Sequence, residues 1–268
     1  FSKILVLFID GFGFLQWQRY AAQFDFLQRF SERGNVSPIT SVFPATTVAG
    51  ITAMNTGVPP VQHGLIEWWT YFRELDEIVT VLPFNRLGSE KRDELREQGV
   101  DPTLLLDRTT ISEQMVAAGI QPYSFLSSEY VDSAYNSVAS RGMRFVAYTG
   151  LQDFVAKLRS TLEATRGPAY YYAYWPEIDK AGHIFGTHSE QYVAAIKAFS
   201  DTIEHELLQK LRSETAQETL VLVTSDHGQV PVDPSKIIYL NDIPGLVDAL
   251  SVSSAGKKIL PWGLPRDV

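Results

Sequence analysis

The sequence predicts an α/β fold with a mostly parallel central sheet, on three observations. Lys3 to Ile9 (KILVLFI) and Thr219 to Thr224 (TLVLVT) are unbroken apolar runs, one near each end of the chain. Such runs suit strands buried on both faces of a parallel sheet. Between them, strand-like segments alternate with segments whose apolar residues recur at helical spacing, as in repeated βα units. A length of 268 residues with 45% hydrophobic content fits one large domain with a sizeable core, or one domain carrying an insertion.

The first apolar run ends in Asp10-Gly11-Phe12-Gly13. A carboxylate therefore sits at a strand's carboxyl end, the edge where open α/β sheets bind ligands. Taken alone, Asp before Gly is also ordinary turn chemistry. Gln23 to Arg33 reads as an amphipathic helix with Phe26, Leu27 and Phe30 on one side. The stretch Ser41 to Gly64 (SVFPATTVAGITAMNTGVPPVQHG) reads as strand, sharp turn, helix, the helix closing near Thr56-Gly57. Thr46 and Thr47 fall where that helix begins. A hydroxyl there sits in the positive field of the first free N–H groups, a favourable place for a nucleophile that must meet a phosphate. A simple helix cap would look the same.

Residues 67–108 change character and read as an insertion or lid on the main sheet. Trp68, Trp69, Tyr71 and Phe72, followed by Ile78 to Val81, suggest extended or hairpin structure whose aromatic residues either face a substrate or, the favoured reading, pack against the body. Asn85 to Gly99 is charged and predicts a solvated loop with a short helix. Regular alternation then returns. Thr110-x-x-Glu113 is a capping box opening a helix to Ala118. Pro122 to Leu126 and Met143 to Tyr148 read as strands, and Leu151 to Thr165 as a helix with Phe154, Val155, Leu158 and Leu162 on its buried side. Ala169 to Trp175 (AYYYAYW) reads as a strand whose tyrosines serve the core.

Just past that strand, Asp179 and His183 lie four apart, on one face of a helical turn and able to share a cation, although a plain solvent-exposed pair would look the same. Thr187-x-x-Glu190 predicts the cap of a long helix with Val193, Ile196, Ile203, Leu207 and Leu211 in one stripe. His188 and His205 read as loop and surface residues. The second apolar run ends in Ser225-Asp226-His227-Gly228, an oxygen and nitrogen pair suited to zinc or manganese. The tail from Gln229 is rich in loops, with a helix expected around Leu246 to Leu250.

A net charge of −8 argues against a nucleic-acid polymer as partner. It leaves a small phosphate-containing substrate open, because bound metal would reverse the local sign. With no cysteine, disulfides and thiolate metal sites are excluded. No apolar run approaches the ~20 residues of a membrane span. No signal peptide is recognised in this sequence, and the compartment stays open, with the cytoplasm slightly favoured. The start at Phe1 and the end at Pro265-Arg266-Asp267-Val268 suggest that the natural protein continues beyond this sequence. Nothing in the sequence bears on oligomeric state.

Asp10, Thr47, Asp179 with His183, and Asp226-His227 all fall at expected strand ends, and a parallel sheet would bring them to one edge. These segments resemble the alkaline phosphatase superfamily, and within it the nucleotide pyrophosphatase/phosphodiesterase branch. The matching pieces are FIDGFG at Phe8 to Gly13, FPATTVAGITAMNTG at Phe43 to Gly57, QHG at Gln62 to Gly64, DKAGHIFG at Asp179 to Gly186 and SDHG at Ser225 to Gly228. They come in the family's order and span nearly the whole chain.

The resemblance implies a three-layer α/β/α sandwich and two divalent metal ions, usually zinc, with manganese possible. By that analogy Asp10, Thr47, Asp226 and His227 hold one ion. Asp179 and His183 hold the other, with a further His nearer the C-terminus. No His follows His227 here, which leaves the second set one ligand short. Thr47, the second Thr of the pattern, is the implied nucleophile, with Thr46 the alternative register. Trp68 stands where nucleotide-cleaving members place a phosphate-binding Asn, which puts nucleotide preference in question. The expected activity is metal-dependent hydrolysis of phosphate esters. A phosphomonoesterase, a phosphonate hydrolase, or a non-catalytic domain that binds metal or phosphate are the alternatives. The C/S-x-P-S-R pattern of sulfatases is absent, and phosphomutase relatives carry Ser where Thr47 stands.

Overall fold

A computed structural model of the chain describes residues 1–250. In order, the chain forms β1 (Lys3–Ile9), α1 (Phe14–Tyr20), α2 (Asp25–Arg33), α3 (Thr47–Thr56) and α4 (Pro60–His63). Three short strands follow, β2 (Trp69–Phe72), β3 (Glu77–Thr80) and β4 (Asn85–Arg86), then α5 (Glu94–Glu97) and α6 (Ile111–Ala117). The second half runs β5 (Gln121–Ser127), α7 (Ala134–Ala139), β6 (Arg144–Tyr148), α8 (Leu151–Ala164), β7 (Ala169–Trp175), α9 (Glu177–Phe185), α10 (Glu190–Thr202), α11 (Ser213–Glu218) and β8 (Thr219–Thr224). No helix among the described residues is long and apolar enough to cross a membrane.

The central sheet has the order β6-β5-β7-β1-β8 and is parallel throughout. β1 lies between β7 and β8, in a register that pairs Ile9 with Trp175 and Phe8 with Thr224. The three strands that carry the candidate residues are thus neighbours, and their carboxyl ends are level. β2, β3 and β4 form a separate antiparallel sheet, as the hairpin reading of that stretch expects.

Alternation along β1 and β7 divides the core in two. Leu5, Leu7, Ile9, Tyr171 and Trp175 face α2, α8 and α10, where Phe26, Phe154, Leu158 and Phe199 are buried. Val6, Phe8, Tyr172 and Tyr174 face the other way, toward α3 and α7 and toward Val79, Val81 and Phe84 of the small-sheet region. Helices therefore cover both faces of a mostly parallel sheet, as the sequence predicts.

Local signals worked where they were short-range. Thr110 closes the expected capping box, accepting from the Glu113 N–H at 3.1 Å while its own N–H donates to Glu113 Oε2 at 2.7 Å. α10 begins instead at Ser189, whose hydroxyl accepts from the Tyr192 N–H at 3.1 Å, while Thr187 is buried two residues earlier. α10 then runs on into a π-type turn at Ile203–Leu208, where Glu204 is buried and accepts from Arg29 Nε of α2 at 2.8 Å. His188 and His205 are exposed.

Three further expectations do not hold. The Thr219–Thr224 run is not buried on both faces: β8 is the sheet's edge strand, and Leu222 is 44% exposed. No strand precedes α3: residues 41–46 are irregular and Phe43 is 86% exposed. The apolar run there is short and ends in Pro44, which has no N–H to give a sheet. Leu246 to Leu250 forms turns rather than a helix, held largely by i to i−3 bonds after Pro244 and a left-handed Gly245. The expectation attached to Pro265–Val268 lies outside the described residues.

Candidate active site

Asp10 follows β1 directly, its N–H donating to the Trp175 carbonyl at 3.0 Å across the sheet. The carboxylate is 3% exposed. Oδ2 accepts a hydrogen bond from the Tyr174 hydroxyl of β7, while Oδ1 is buried with no hydrogen-bond partner. Asp226 repeats the pattern two residues past β8. Its Oδ1 accepts from the N–H groups of His227 at 2.9 Å and Gly11 at 3.2 Å, and from the Ser225 hydroxyl at 3.2 Å. Its Oδ2 is buried without a partner. In each carboxylate, one oxygen is held by the protein and the other is left open.

His227 is oriented toward the same point. Its Nδ1 lies 3.0 Å from the Gly228 carbonyl, which can only accept, so Nδ1 carries the proton and Nε2 presents a lone pair. Nε2 is 3.1 Å from Thr47 Oγ1, 3.5 Å from Asp10 Oδ1 and 3.7 Å from Asp226 Oδ2. Ligand atoms of Asp10, Asp179 and His227 all lie within 4.8 Å of one another.

The two threonines separate cleanly. Thr46 is the N-cap of α3, its hydroxyl accepting from the Ala49 N–H at 3.3 Å and donating to the Ile66 carbonyl at 3.2 Å. Thr47 is the first helical residue, and its hydroxyl faces His227. Thr47 thus enters the site from a helix N-terminus above the sheet rather than from a strand end. The approach of α3 depends on Gly50, one turn on, where a Cβ would stand 2.6 Å from Asp226 Cβ.

Asp179 and His183 occupy one face of α9, with His183 Nε2 3.3 Å from Asp179 Oδ2. The structure brings Asp179 beside Asp10 and His227 as well, so the implied two ligand sets adjoin rather than stand apart. Asp10, Thr47, Asp179, Asp226 and His227 come together at the level carboxyl ends of β7, β1 and β8, while His183 is exposed and stands beside Asp179 at the outer side of this group.

Three carboxylates so close disfavour full ionisation. The Asp10 carboxyl is raised well above its ordinary range, first by burial and then by the charges of Asp226 and Asp179, with the Tyr174 hydrogen bond opposing. The Tyr174 hydroxyl is raised as well, first by burial and then by the charges of Asp10 and Asp226, so it stays a donor. Two open buried carboxylate oxygens, a lone pair on imidazole and a hydroxyl form an oxygen and nitrogen donor set that fits a divalent cation such as zinc or manganese.

A cavity of about 330 Å³ opens beside this cluster. Thr47, Ile51 and Asn55 line it along one face of α3, a run of roughly 12 Å. Trp68, Tyr130 and Tyr135 supply aromatic wall, and Arg92, also in the lining, lies 5.0 Å from the Tyr130 ring centroid. The sequence reading left Trp68 open as a substrate-facing residue but missed Tyr130, Tyr135 and Arg92, and it missed Tyr174, which it assigned to the core alone. The Tyr174 hydroxyl reaches Asp10 from 164 residues away, and only the strand pairing reveals that.

Comparison with known proteins agrees with the geometry. The family model described as type I phosphodiesterase / nucleotide pyrophosphatase matches residues 4–265. Ectonucleotide pyrophosphatase/phosphodiesterase family member 1 of Rattus norvegicus is 24% identical over 256 residues, covering 92% of this chain but 26% of that protein. Among solved structures, murine ectonucleotide pyrophosphatase / phosphodiesterase 5, as an inactive threonine-to-alanine variant in complex with AMP, superposes with a TM-score of 0.68 at 19% identity. That match covers 90% of this chain and 61% of the other. Phosphonoacetate hydrolase from Sinorhizobium meliloti, in complex with phosphonoformate, gives a TM-score of 0.63 at 18% identity, over 90% of this chain and 60% of that one. The chain therefore spans about a quarter of the curated relative and about three-fifths of these structures. With the family's model matched along almost its full length, the chain belongs to the type I phosphodiesterase / nucleotide pyrophosphatase family.

Proposed function

We propose that this chain hydrolyses phosphate esters, with Thr47 as nucleophile and two divalent ions, zinc or manganese, at the carboxylate cluster. The observation that carries the reading is Thr47 Oγ1 at 3.1 Å from His227 Nε2, beside the open oxygens of Asp10 and Asp226. Asp10, Thr47, Asp226 and His227 would hold one ion, and Asp179 with His183 would contribute to the other. When bound, the ions supply positive charge for the phosphate and for the ionised hydroxyl.

The protein's own part is positioning. Tyr174, Ser225 and the N–H groups of Gly11 and His227 fix the carboxylates so that their open oxygens converge. Thr47 stands at the N-terminus of α3, whose positive end would suit an oxyanion in place of the Asn that the resemblance expects where Trp68 stands. Thr47 Oγ gives up its proton and bonds to phosphorus as the bond from phosphorus to the ester oxygen breaks in line, the departing oxygen taking a proton to leave as an alcohol. Water then breaks the bond from phosphorus to Thr47 Oγ, returning a proton to the hydroxyl and releasing phosphate from a monoester or a phosphate monoester from a diester. The organic part of the ester occupies the aromatic-walled cavity. Residues 67–108 act as an insertion that completes that wall, contributing Trp68, Leu82 and Arg92.

In the murine relative, the inactive form carries a threonine-to-alanine change, which supports a threonine nucleophile here. Thr47→Ala is expected to abolish turnover of an aryl phosphate ester while bound metal persists, measured by steady-state assay and elemental analysis. Full activity in that variant would overturn the nucleophile assignment. Monoester, diester and phosphonate substrates compared side by side identify the preferred class.

A further inference from the structure

Gln229 directly follows the Ser225–Gly228 segment and is 5% exposed. Its side chain turns away from β8 and crosses to α9. Nε2 donates to Asp179 Oδ1 at 2.7 Å and lies 3.1 Å from the Asp179 carbonyl. Both of its N–H groups are therefore spent on one residue. The backbone carbonyl of Gln229 is held in turn by the Gln16 side-chain amide of α1, itself buried. The Gln229 Oε1 lies against α9 at Gly182, where a Cβ would stand 1.7 Å from it, so only glycine admits the amide. Oε1 has no hydrogen-bond partner. The amide accepts that loss because the opposite orientation would set its oxygen against the Asp179 carboxylate.

We propose that Gln229 is a positioning residue that couples the two halves of the metal site. The inference rests on the two-ion reading above. The loop after β8 presents Asp226 and His227 to one ion. Through Gln229 the same loop fixes the carboxylate of Asp179 for the other. A neutral amide suits this task. It holds one oxygen of Asp179 and leaves the carboxylate its full charge, and it brings no cation to compete with a metal. Outer groups that orient a ligand in this way are worth about 10- to 100-fold in metal affinity.

The test is zinc titration of the whole chain against a chromophoric chelator, with turnover of an aryl phosphate ester followed as zinc is raised. The wild-type protein is expected to take two zinc ions. Gln229→Leu is expected to keep the first with its affinity intact and to bind the second about 10- to 100-fold more weakly. Its turnover returns as zinc is raised, which a folding defect would not allow. Gln229→Asn, too short to reach Asp179, behaves alike. Gln16→Leu, which touches neither ligand, weakens the same ion by a smaller factor and serves if the Gln229 variants fail to fold. Two zinc ions bound by every variant as tightly as by the wild type would overturn this inference alone. A wild-type protein that binds no zinc and turns nothing over would overturn the hydrolase reading and this inference with it.

Discussion

Replacing Gly50 by alanine tests whether the close approach of α3 to the loop after β8 sets the site. The added Cβ would lie 2.6 Å from Asp226 Cβ and 3.2 Å from its Cα. Ordinary carbon contacts begin near ~3.5 Å, so the two segments must separate by roughly 1 Å. Side-chain rotation offers no escape, because the contact falls on Cβ and backbone. Asp226 is also pinned by three donors on Oδ1. Overpacking of this kind costs about 1–3 kcal/mol, and the better helix propensity of alanine returns about 1 kcal/mol. The expected net loss of stability is therefore about 0–2 kcal/mol. The functional loss should be larger. Thr47 moves with α3 while His227 stays with β8, and a 1 Å misplacement of reacting groups costs on the order of 100-fold, or about 2.7 kcal/mol of barrier. Urea unfolding and kcat/KM on an aryl phosphate ester, measured on the same preparation, separate the two effects. An unchanged kcat/KM in Gly50→Ala would refute the claim that this approach positions Thr47.

Other perturbations follow from the same contacts. Thr110→Ala removes a capping box away from the site and should lower stability by about 1 kcal/mol at full activity, which makes it the control for Gly50→Ala in the same two assays. Burial, aided by the charge of Arg108 and opposed by a hydrogen bond to Ala49, lowers the His63 imidazole from its ordinary 6.5 to about 4. The unfolded chain therefore gains a proton that the fold refuses. Stability is full above the unfolded value and is lost as pH falls from 6.5 toward 4, by roughly 3 kcal/mol. The urea midpoint should therefore drop further on acidification in the wild type than in His63→Gln, whose own pH dependence lacks this component; identical dependences would refute the assignment. For Asp10, raised rather than lowered, the sign reverses: the metal-free protein loses stability as pH rises through the folded value. Asp10→Asn should therefore raise the melting temperature of the metal-free protein at neutral pH, with a gain that shrinks toward acid pH, while activity is lost.

Much of this candidate site is legible in the sequence because its carboxylates sit where strands end. Lys3–Ile9 and Thr219–Thr224 declare themselves as strands by their apolar runs, so Asp10 and Asp226 have to lie just past them, although only β1 is buried and β8 is the sheet's edge. Asp179 and His183 declare their shared face by spacing alone. The route of Thr47 is less legible, because Val42 and Phe43 look like a strand end until Pro44 and the missing neighbour strand are considered. The helix expected at Leu246 to Leu250 fails for a related reason, since an apolar cluster of five residues carries too little periodicity to outweigh Pro244 and Gly245 before it. What orients the ligands is not legible at all. In the sequence Tyr174 looks like one more aromatic in a sheet, and Gln229 like the first residue of a loop. Their roles exist only through contacts across 164 and 50 residues.

Those contacts also explain why the site is built against its own stability. A fold seeking only to persist would pair or neutralise Asp10, Asp226 and Asp179, or replace them with packed apolar groups. Here the neutral donors Tyr174, Ser225, Gln229 and backbone N–H groups hold the carboxylates, and no Lys or Arg bonds to them among the described residues. Neutral donors order an anion without cancelling its charge. Burial first, and then the uncancelled charge of Asp226 and Asp179, raises the Asp10 carboxyl, and its Oδ1 and the Asp226 Oδ2 are buried without partners. A cationic partner would have relieved that cost and removed the reason for a metal ion to bind. Three converging carboxylates with no Lys or Arg bonded to them among the described residues favour a metal-dependent reaction over a merely structural cluster, and so add to the support that the Thr47–His227 geometry gives.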